Sequence, residues 1–390
     1  MEAAQVGAVV VGGDYQGLGI VRSLGRHGVP VMVLDDERSI SRVSRFASGY
    51  ERVPELRDSE QTTRILIDAC TRLGLQGAVL YPTREETVAA IATHRDELAE
   101  HFRLPTPAWD SVRPAWDKRE TYQRAERLGI PIPRCWFPTS AADLDEIDLG
   151  SPVILKPAIK EHFFYETHAK AWRVDTREEL EAAFDKAARI VGPGEVIVQQ
   201  LIPGGGDRQF AYCAFFKHGD AVAEMTVRRR RQHPSDFGRA STFVETIDLP
   251  VLAEQSLRFL RDIDYYGLVE LEFKQDLQDG CYKLLDVNAR TWGYHSLGYT
   301  AGVDFPYLVY LDQLGLPVEE SRARPGVRWI RLATDLPNAA RDIRAGNARV
   351  GAYLKSLRGI DTDAVFAVRD PLPGLYELLL LPYLFFRRGL

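Results

Sequence analysis

The sequence predicts a protein with an α/β domain at the N-terminus, followed by an α+β region that contains many antiparallel strands. In residues 1–112, short β-branched segments alternate with amphipathic segments of helical period, the pattern of a parallel sheet covered by helices. Beyond residue 112, strand-like segments follow one another with few helices between them. A length of 390 residues exceeds what one hydrophobic core usually supports, so two or three packed units are expected.

The N-terminal domain is predicted from an alternation of strands and helices. Residues 8–11 and 29–34 are rich in β-branched side chains, and residues 19–27 place apolar side chains at helical spacing between them. A helix over 60–73 and a strand over 77–81 continue the alternation. The whole domain is therefore predicted to be doubly wound and Rossmann-like.

Three further units are predicted after a linker rich in Pro and Trp at residues 105–116. Residues 113–195 contain a helix that starts near Asp117, a buried strand and a second helix. Residues 196–315 contain several strand-like segments and one helix, which indicates an antiparallel sheet. Residues 316–390 form an extension that carries no motif indicating a role.

Composition and charge exclude several classes of protein. The formal net charge of -6 and the pI of about 5.8 argue against broad neutralisation of phosphates, so no nucleic-acid partner is expected. The four cysteines form no CxxC pair, which predicts reduced thiols rather than a zinc site or a disulfide framework. The N-terminus enters a strand-like segment directly, without a signal peptide, so a cytoplasmic protein is expected.

The C-terminal tail is apolar but too short to span a bilayer. Residues 375–386 are interrupted by Pro382 and are followed by Arg387 and Arg388. Two interpretations remain open. Either the tail packs on the body of the protein, which its shortness favours, or residues 375–388 make a peripheral contact with a membrane beside anionic lipid. The sequence does not indicate an oligomeric state.

Acidic and amide side chains are concentrated on a predicted hairpin between residues 267 and 290. Side chains two positions apart share a strand face, so Asp286 and Asn288 point to one side. Glu270 and Glu272 share a face of the neighbouring strand. Magnesium takes such oxygen ligands together with substrate phosphates, which makes a metal-nucleotide site one interpretation. An ordinary hairpin with polar outward positions is the other, and the hairpin alone does not separate them.

The segments around this hairpin resemble the ATP-grasp superfamily. Members carry an acidic residue on one strand, acid-x-Asn-x-Arg on the next, and a helix that leads to an Ala-Gly-Val-Asp-like turn, as at residues 301–304 here. The resemblance implies an ATP-grasp fold with an N-terminal Rossmann-like pre-ATP-grasp domain. It implies that Glu272, Asp286 and Asn288 bind Mg²⁺, with Mn²⁺ as an alternative, and that Arg290 faces the transferred phosphoryl group or the substrate carboxylate. Asp286 stands where glutamate is commoner, a swap that retains two carboxylates.

The same resemblance implies the position of ATP. Lys118 and Lys156 would contact the phosphates, where a compact ammonium neutralises charge without a fixed geometry. Four residues match the hinge that reads the adenine edge: Gln199, Gln200, Leu201 and Ile202. Asp207 is the candidate for the ribose contact. Residues 113–195 become the central or lid subdomain, and residues 196–315 the C-terminal subdomain with the Mg-ATP site.

The flap of the lid departs from the family pattern. Residues 160–170 contain no glycine, so backbone amides cannot cradle phosphate there in the usual way. Side chains that could replace those amides are Lys160, His162, His168 and Lys170. Polar surface positions in a mobile loop are the favoured alternative.

A run of arginines lies at residues 228–231. On a strand, Arg229 and Arg231 share one face, and we expect them to bind phosphate or a substrate carboxylate. A solvated basic strand edge is nearly as good an interpretation.

These residues predict an ATP-dependent carboxylate-amine ligase that forms an acylphosphate, similar to members of the D-aspartate ligase type. Its partners would be a small carboxylate and an amine. Two alternatives are an NAD-linked oxidoreductase and a non-catalytic ATP-binding protein. The first would use the N-terminal glycines, Gly12, Gly13, Gly17 and Gly19, but no register of these gives a full GxGxxG.

Overall fold

The N-terminal domain is a parallel four-stranded sheet in the order β3-β2-β1-β4. The computed structural model describes residues 6–234, 238 and 240–388, except for the side chains of residues 384–388. The strands are β1 Ala8–Val11, β2 Val31–Asp35, β3 Gly49–Arg52 and β4 Val79–Pro82. The helices are α1 Tyr15–Arg26, α2 Ser59–Leu73, α3 Glu85–Thr93 and α4 Arg95–Ala99. This alternation agrees with the predicted doubly wound domain, to which the structure adds β3.

Alternation along β1 explains why helices cover both faces of this sheet. Val10 joins the core that contains Leu18 of α1, whereas Val9 and Val11 join the core that contains Leu66 of α2. The carboxylate of Asp14 caps α1 by accepting a hydrogen bond from the Gln16 amide, and Asp58 caps α2 in the same way. The first helix therefore begins directly after the glycines that follow β1.

The lid is an antiparallel four-stranded sheet in the order β5-β8-β6-β7. Its strands are β5 Cys135–Trp136, β6 Val153–Pro157, β7 Trp172–Val174 and β8 Val196–Gln200. The helices of this region are α5 Trp109–Trp116, α6 Lys118–Arg127, α7 Lys160–Thr167 and α8 Arg177–Val191. The structure changes two predictions: the Pro-rich linker contains α5, and the predicted boundary at residue 196 falls before the last strand of the lid sheet.

The largest sheet has eight strands, seven of them in the order β13-β12-β9-β10-β11-β15-β16, with β14 paired to β10. Its strands are β9 Gln209–Lys217, β10 Asp220–His233, β11 Ala240–Ile247, β12 Gly267–Gln275, β13 Tyr282–Asn288, β14 Ser321–Arg322, β15 Arg328–Ile330 and β16 Thr362–Asp363. Its helices are α9 Pro250–Asp262, α10 Ser296–Ala301, α11 Phe305–Gln313, α12 Leu332–Arg344, α13 Val350–Ser356 and α14 Leu372–Arg388. The extension 316–390 therefore adds three short strands to this sheet.

The cores divide the chain differently from the sheets. One continuous core joins Leu18 of α1 to Val244 of β11 and to the fully buried Trp292 and Trp329. The lid has a separate core that contains Phe163 of α7. The N-terminal domain and the large sheet are thus packed as one body, against which the lid is a distinct layer. Within the described residues, no helix has both the length and the apolar character needed to cross a bilayer.

Candidate active site

A cleft of about 200 Å³ lies where the three units meet. The N-terminal domain contributes Tyr15, Gln16 and Glu85 to its walls. The lid contributes Lys160, Phe164 and Lys170. The floor comes from β12, β13 and the segment after β13, and Arg229 of β10 lies beside it. Four of the charged residues predicted from the sequence line this cleft: Arg229, Glu272, Asp286 and Arg290. Lys118 and Lys156 are not among its lining residues.

The floor presents three carboxylates and an amide on one face. In the register of β12 and β13, Glu270 lies opposite Asn288, and Glu272 lies opposite Asp286. The Asn288 amide nitrogen donates to Glu270 Oε2 at 3.0 Å and to Glu272 Oε1 at 3.1 Å. The shared face agrees with the alternation in the sequence. Glu270, which was not among the predicted metal ligands, belongs to the same group.

These donors fit a magnesium-nucleotide site. Mg²⁺ prefers oxygen ligands and usually takes one or two carboxylates together with substrate phosphates. Among the described residues, no group of three or more His, Cys, Asp or Glu side chains forms a metal-holding cluster by itself. Rotation of the Asn288 amide would turn its oxygen toward the carboxylates, because amide orientation follows the hydrogen bonds available. The oxygens present would suit a cation that is also held by phosphates.

Each carboxylate of the floor and of the neighbouring wall has a polar or cationic partner. Lys118 Nζ lies 2.8 Å from Asp286 Oδ1, and Arg229 Nη2 lies 2.9 Å from Glu272 Oε2. Tyr294 donates a hydrogen bond to Glu270. The cleft therefore carries its own counter-ions, and these pairs would have to separate when a triphosphate and a metal enter.

The pKa values of the two glutamates on β12 move in opposite directions. Burial raises the pKa of Glu270 to about 7, and the charge of Glu272 adds to the effect. Burial also acts to raise the pKa of Glu272, but the charges of Arg229 and Lys170 and the hydrogen bond from Asn288 together outweigh it, and the pKa is lowered. Glu272 is thus the ionised partner of Arg229, whereas Glu270 titrates near neutrality.

Glu85 is an acid in the cleft that the sequence did not indicate. It accepts a hydrogen bond from Arg290 Nη2 at 2.7 Å and lies 3.4 Å from Lys160 Nζ. Burial opposes ionisation, but Lys160 and Arg290 together hold the pKa of Glu85 well below its usual range. Glu85 lies at the start of α3, in a segment without any motif, so only the tertiary structure identifies it.

The predicted phosphate-binding lysines both lie in buried positions. Lys118 begins α6, where its helix is capped by Asp117. Lys156 lies next to the end of β6, with Nζ 2.5 Å from the Tyr122 hydroxyl, which donates to the Leu285 carbonyl. Burial lowers the pKa of Lys156 to about 8, and the neighbouring charge of Lys118 adds to this. An ammonium at such a position gains much from an anionic ligand.

The predicted hinge leads out of β8. Gln199 is buried, with Nε2 3.2 Å from Cys135 Sγ. The backbone amides of Gln200 and Leu201 donate to carbonyls at 2.8 and 3.1 Å within the lid, so the sheet already uses these two donors. Lys274 Nζ donates to the Ile202 carbonyl at 2.8 Å and fixes the chain after the hinge. The hinge role of these four residues remains a prediction.

Asp207 lies apart from this geometry. It sits in a short 3₁₀ turn, Gly206–Arg208, with about half of its side chain exposed. Its carboxylate is 3.9 Å from the guanidinium nitrogens of both Arg208 and Arg228. Asp207 does not line the cleft among the described residues, and its ribose contact remains a prediction.

The structure separates Arg229 from Arg231. Bulges interrupt the pairing of β10 with β11 on either side of Arg231, so the two side chains do not share a face. Arg229 lines the cleft, whereas Arg231 Nη2 lies 2.8 Å from Asp335 Oδ2 of α12. Arg231 also contacts Tyr353 of α13. The prediction that both arginines face the cleft is therefore wrong for Arg231, which ties the C-terminal extension to the large sheet.

The glycine-free flap is a helix rather than a loop. In α7 and the turn after it, Lys160 and Lys170 line the cleft. Burial lowers the pKa of Lys170 to about 8. His162 pairs with Glu195 at 3.0 Å, and His168 adopts a left-handed conformation at the C-cap of α7. Of the four side chains considered for a phosphate role, the structure brings the two lysines to the cleft.

The N-terminal glycines serve close packing. A Cβ at Gly17 would lie 2.1 Å from the Gly12 carbonyl oxygen, and one at Gly19 would lie 2.5 Å from His295 Nε2. A Cβ at Gly293 would lie 2.6 Å from the hydroxyl of Tyr15, a residue that lines the cleft. Close packing therefore accounts for glycine at these positions, and a dinucleotide-binding role is not needed to explain them.

The fold and the cleft define a protein with the ATP-grasp fold, as the sequence predicted. The chain is similar to D-aspartate ligase of Enterococcus faecium (strain Aus0004), with 27% identity over 214 residues, 51% of this chain and 50% of the relative. It thus spans about half the length of that relative. No family model matches the chain.

Solved structures support the same fold. An L-amino acid ligase from Bacillus licheniformis superposes with a TM-score of 0.63 and 17% identity, covering 82% of this chain and 76% of that one. A biotin carboxylase from Campylobacter jejuni in a β,γ-ATP complex gives a TM-score of 0.65 and 17% identity, covering 83% and 74%. At this level of identity the likeness establishes the fold, and the site residues rest on the geometry described above.

Proposed function

We propose that this chain is an ATP-dependent ligase that phosphorylates a carboxylate and joins the resulting acylphosphate to an amine. The observation that carries the proposal is the cleft itself. Oxygen ligands from β12 and β13 face the same space as Lys160, Lys170 and Arg290. Similarity to a D-aspartate ligase and to an L-amino acid ligase supports the same class of reaction.

Binding of ATP would use charges that the cleft now neutralises internally. Lys118 and Lys156 would hold the phosphates, with Lys160 and Lys170 above them. Glu270, Glu272, Asp286 and Asn288 would hold Mg²⁺, or Mn²⁺ in its place. Held by these residues, the cation would neutralise part of the charge of the phosphates. Occupation of Asp286 and Glu272 by the metal would release Lys118 and Arg229 from their ion pairs.

Arg290 would stabilise the transferred phosphoryl group. Its guanidinium lies 2.7 Å from Glu85 and 3.3 Å from Asn288, between the floor and the N-terminal wall. Phosphoryl transfer depends mainly on positioning and electrostatic stabilisation, which a buried guanidinium at the edge of a metal site supplies. The oxygen of the substrate carboxylate would attack the γ-phosphorus there as ADP leaves. The amine would then attack the acyl carbon, displace phosphate and lose a proton.

The substrates are proposed from charge and similarity. Arg229, freed from Glu272, would suit a second carboxylate, so acidic amino acids are the first acids to test. The N-terminal wall with Tyr15 and Gln16 would border the acid or the amine. Activity in the cytoplasm is part of the same proposal.

The test is ADP release, measured with Mg-ATP against pools of amino acids and small carboxylic acids. A carboxylate labelled with ¹⁸O should transfer one label to the released phosphate, as an acylphosphate requires. Binding of ATP without ADP release in any pool would favour a non-catalytic ATP-binding protein. A change in nicotinamide absorbance without ATP hydrolysis would favour the oxidoreductase.

A further inference from the structure

The C-terminal helix α14 is fixed to the protein by one face. Leu380 and Glu377 are almost fully buried, and Tyr376 and Tyr383 pack against the core shared with α1. Arg331 donates a hydrogen bond to Glu377 Oε1 at 3.1 Å. Positions 376, 380 and 383 follow helical spacing, so these contacts hold the helix along its length. The predicted packing of the tail is therefore observed for its described part.

The opposite face of α14 is apolar and open to solvent. Leu375, Leu378 and Leu379 are 57%, 47% and 78% exposed, and Pro382 is also exposed. Their spacing of i, i+3, i+4 and i+7 places them on a single stripe. A helix on the surface of a water-soluble domain normally carries polar side chains at these positions. Four adjacent exposed apolar side chains indicate a surface that a membrane or another molecule covers.

Basic side chains border this leucine face. Arg38 and Arg42, both exposed, place their guanidiniums over the rings of Tyr383 and Tyr376 at 5.2 and 5.7 Å. Neither arginine forms an ion pair with an acid in the part of the chain that the structure describes. The sequence adds Arg387 and Arg388 at the end of the helix, whose side chains lie outside the described residues. This basic border contrasts with the net charge of -6.

We propose that α14 binds in the plane of a bilayer that contains anionic lipid, with its leucine face among the acyl chains. An aliphatic stripe with arginines and tyrosines beside it matches the layered chemistry of a membrane interface. Anionic headgroups would supply the counter-charges that Arg38 and Arg42 lack. A second copy of this chain would instead bring a second set of unpaired arginines to the same border, so lipid is the occupant that charge favours.

The geometry keeps this anchor at the surface. The helix has 17 residues and contains Pro382, and its buried face is committed to the core through Glu377 and Leu380. Burial on one side and insertion on the other are compatible only if the helix axis lies parallel to the membrane. The anchor depends on α14 and its border alone, and does not require the ligase activity proposed above.

The experiment is flotation of the full chain with two kinds of vesicle, phosphatidylcholine alone and phosphatidylcholine mixed with phosphatidylglycerol. The wild-type protein should float with the mixed vesicles. Leu375→Glu/Leu379→Glu should lower partitioning at least tenfold, and Arg38→Gln/Arg42→Gln by about fivefold per arginine at low salt. The matched control is Leu277→Glu/Leu316→Glu, two leucines of similar exposure on other surfaces, which should float like the wild type.

Two results would overturn the proposal. One is wild-type protein that remains in the soluble fraction with both vesicles. The other is light scattering that shows a dimer which the Leu375→Glu/Leu379→Glu variant dissociates, without vesicle binding, because the leucine face would then be an interface between copies. Circular dichroism of each variant tests whether the fold is retained, and a loss of flotation in a folded variant reports on the surface.

Discussion

The floor and the lid of the cleft are assembled in different ways. On the floor, Asn288 bonds to Glu270 and Glu272 across sequence separations of 18 and 16 residues, within one hairpin. The lid helix α7 instead reaches the N-terminal domain, where Lys160 contacts Glu85 and Tyr165 donates to Glu86 across separations of 75 and 79 residues. Arg57 also lies over the Tyr165 ring at 4.0 Å. The lid is thus latched to a different part of the chain.

The floor and the lid should differ in mobility. The floor belongs to a buried sheet whose strands are held by their register, so its backbone should keep its geometry with or without a ligand. The contacts of α7 with the N-terminal domain are few and partly exposed, and the lid has its own hydrophobic core. The floor is therefore expected to define the chemistry, and the lid to control entry and release.

Replacement of a floor carboxylate should have the largest effect. In Asp286→Asn, the site loses one metal-binding charge and Lys118 loses its ion-pair partner. We expect kcat for ADP release to fall by about 10²–10³-fold. Asp279→Asn, in the exposed turn of the same hairpin, is the control and should retain near-normal turnover. Substantial activity in Asp286→Asn would mean that the floor does not hold the metal.

Glu85 contacts Arg290 beside the floor and Lys160 of the lid. Its replacement should therefore lower the stability of the protein while it strengthens ATP binding. Glu85→Gln leaves Arg290 and Lys160 without their buried counter-ion, and the free energy of unfolding should fall by about 3 kcal/mol. ATP should bind more tightly, because the cleft becomes more positive. Denaturation in urea and calorimetric titration of ATP measure the two effects. Glu97→Gln, an exposed acid of α4, should change neither, and weaker ATP binding in Glu85→Gln would contradict the assignment.

The floor could be predicted from the sequence better than the lid. The floor was predictable because alternation along two adjacent strands fixes which side chains share a face. The prediction for Arg231 failed because it assumed a regular strand, whereas bulges in β10 turn this residue toward Asp335. A bulge depends on how the partner strand fits, and no local pattern in the arginine run marks it.

The lid and the C-terminal extension were harder to predict from the sequence, because their features also depend on contacts with distant parts of the chain. Helix α7 has little segregation of polar and apolar side chains, so no helical period indicates it. Glu85 gains its position from contacts with Lys160 and Arg290, which lie far away in the sequence. The strands of the extension have only two or three residues, and each exists through pairing: β14 with β10, β15 with β11 and β16 with β15. Such features depend on tertiary contacts that local sequence does not encode.

The lysines around the cleft should differ in their response to pH, according to whether a floor carboxylate lies beside them. Burial acts to lower the pKa of Lys118, but the carboxylates of Asp286 and Glu85 together outweigh it, and the pKa is raised. Burial lowers the pKa of Lys156 and Lys170 in the lid to about 8, from 10.5. Above pH 8 the free protein must therefore take up protons to bind ATP, and the affinity should fall by up to about tenfold per pH unit for each lysine.

The lowered pKa values of Lys156 and Lys170 also predict how the stability of the ATP-free protein changes with pH. Between pH 8 and 10.5 the unfolded chain binds more protons at Lys156 and Lys170 than the folded chain, so the ATP-free protein should gain stability as pH rises through this window. Calorimetric titration of ATP and urea denaturation across the window measure both trends. Lys156→Met and Lys170→Met should each flatten the profiles, and an unchanged profile in both variants would assign the titration to other groups.

Loss of a single latch contact should have the smallest effect and should alter the lid alone. Tyr165→Phe removes the hydroxyl that donates to Glu86 but retains the ring beneath Arg57. One partly exposed hydrogen bond is worth about 1 kcal/mol, so the closed lid should be about fivefold less favoured. We expect KM for ATP to rise by up to that factor, with ADP-release kcat unchanged or higher if opening limits turnover, and proteolysis near α7 to accelerate. Tyr299→Phe, an exposed tyrosine distant from the lid, should change none of these values. A fall in kcat without a change in KM would place Tyr165 in the chemistry rather than in closure, and the division between floor and lid would then no longer hold.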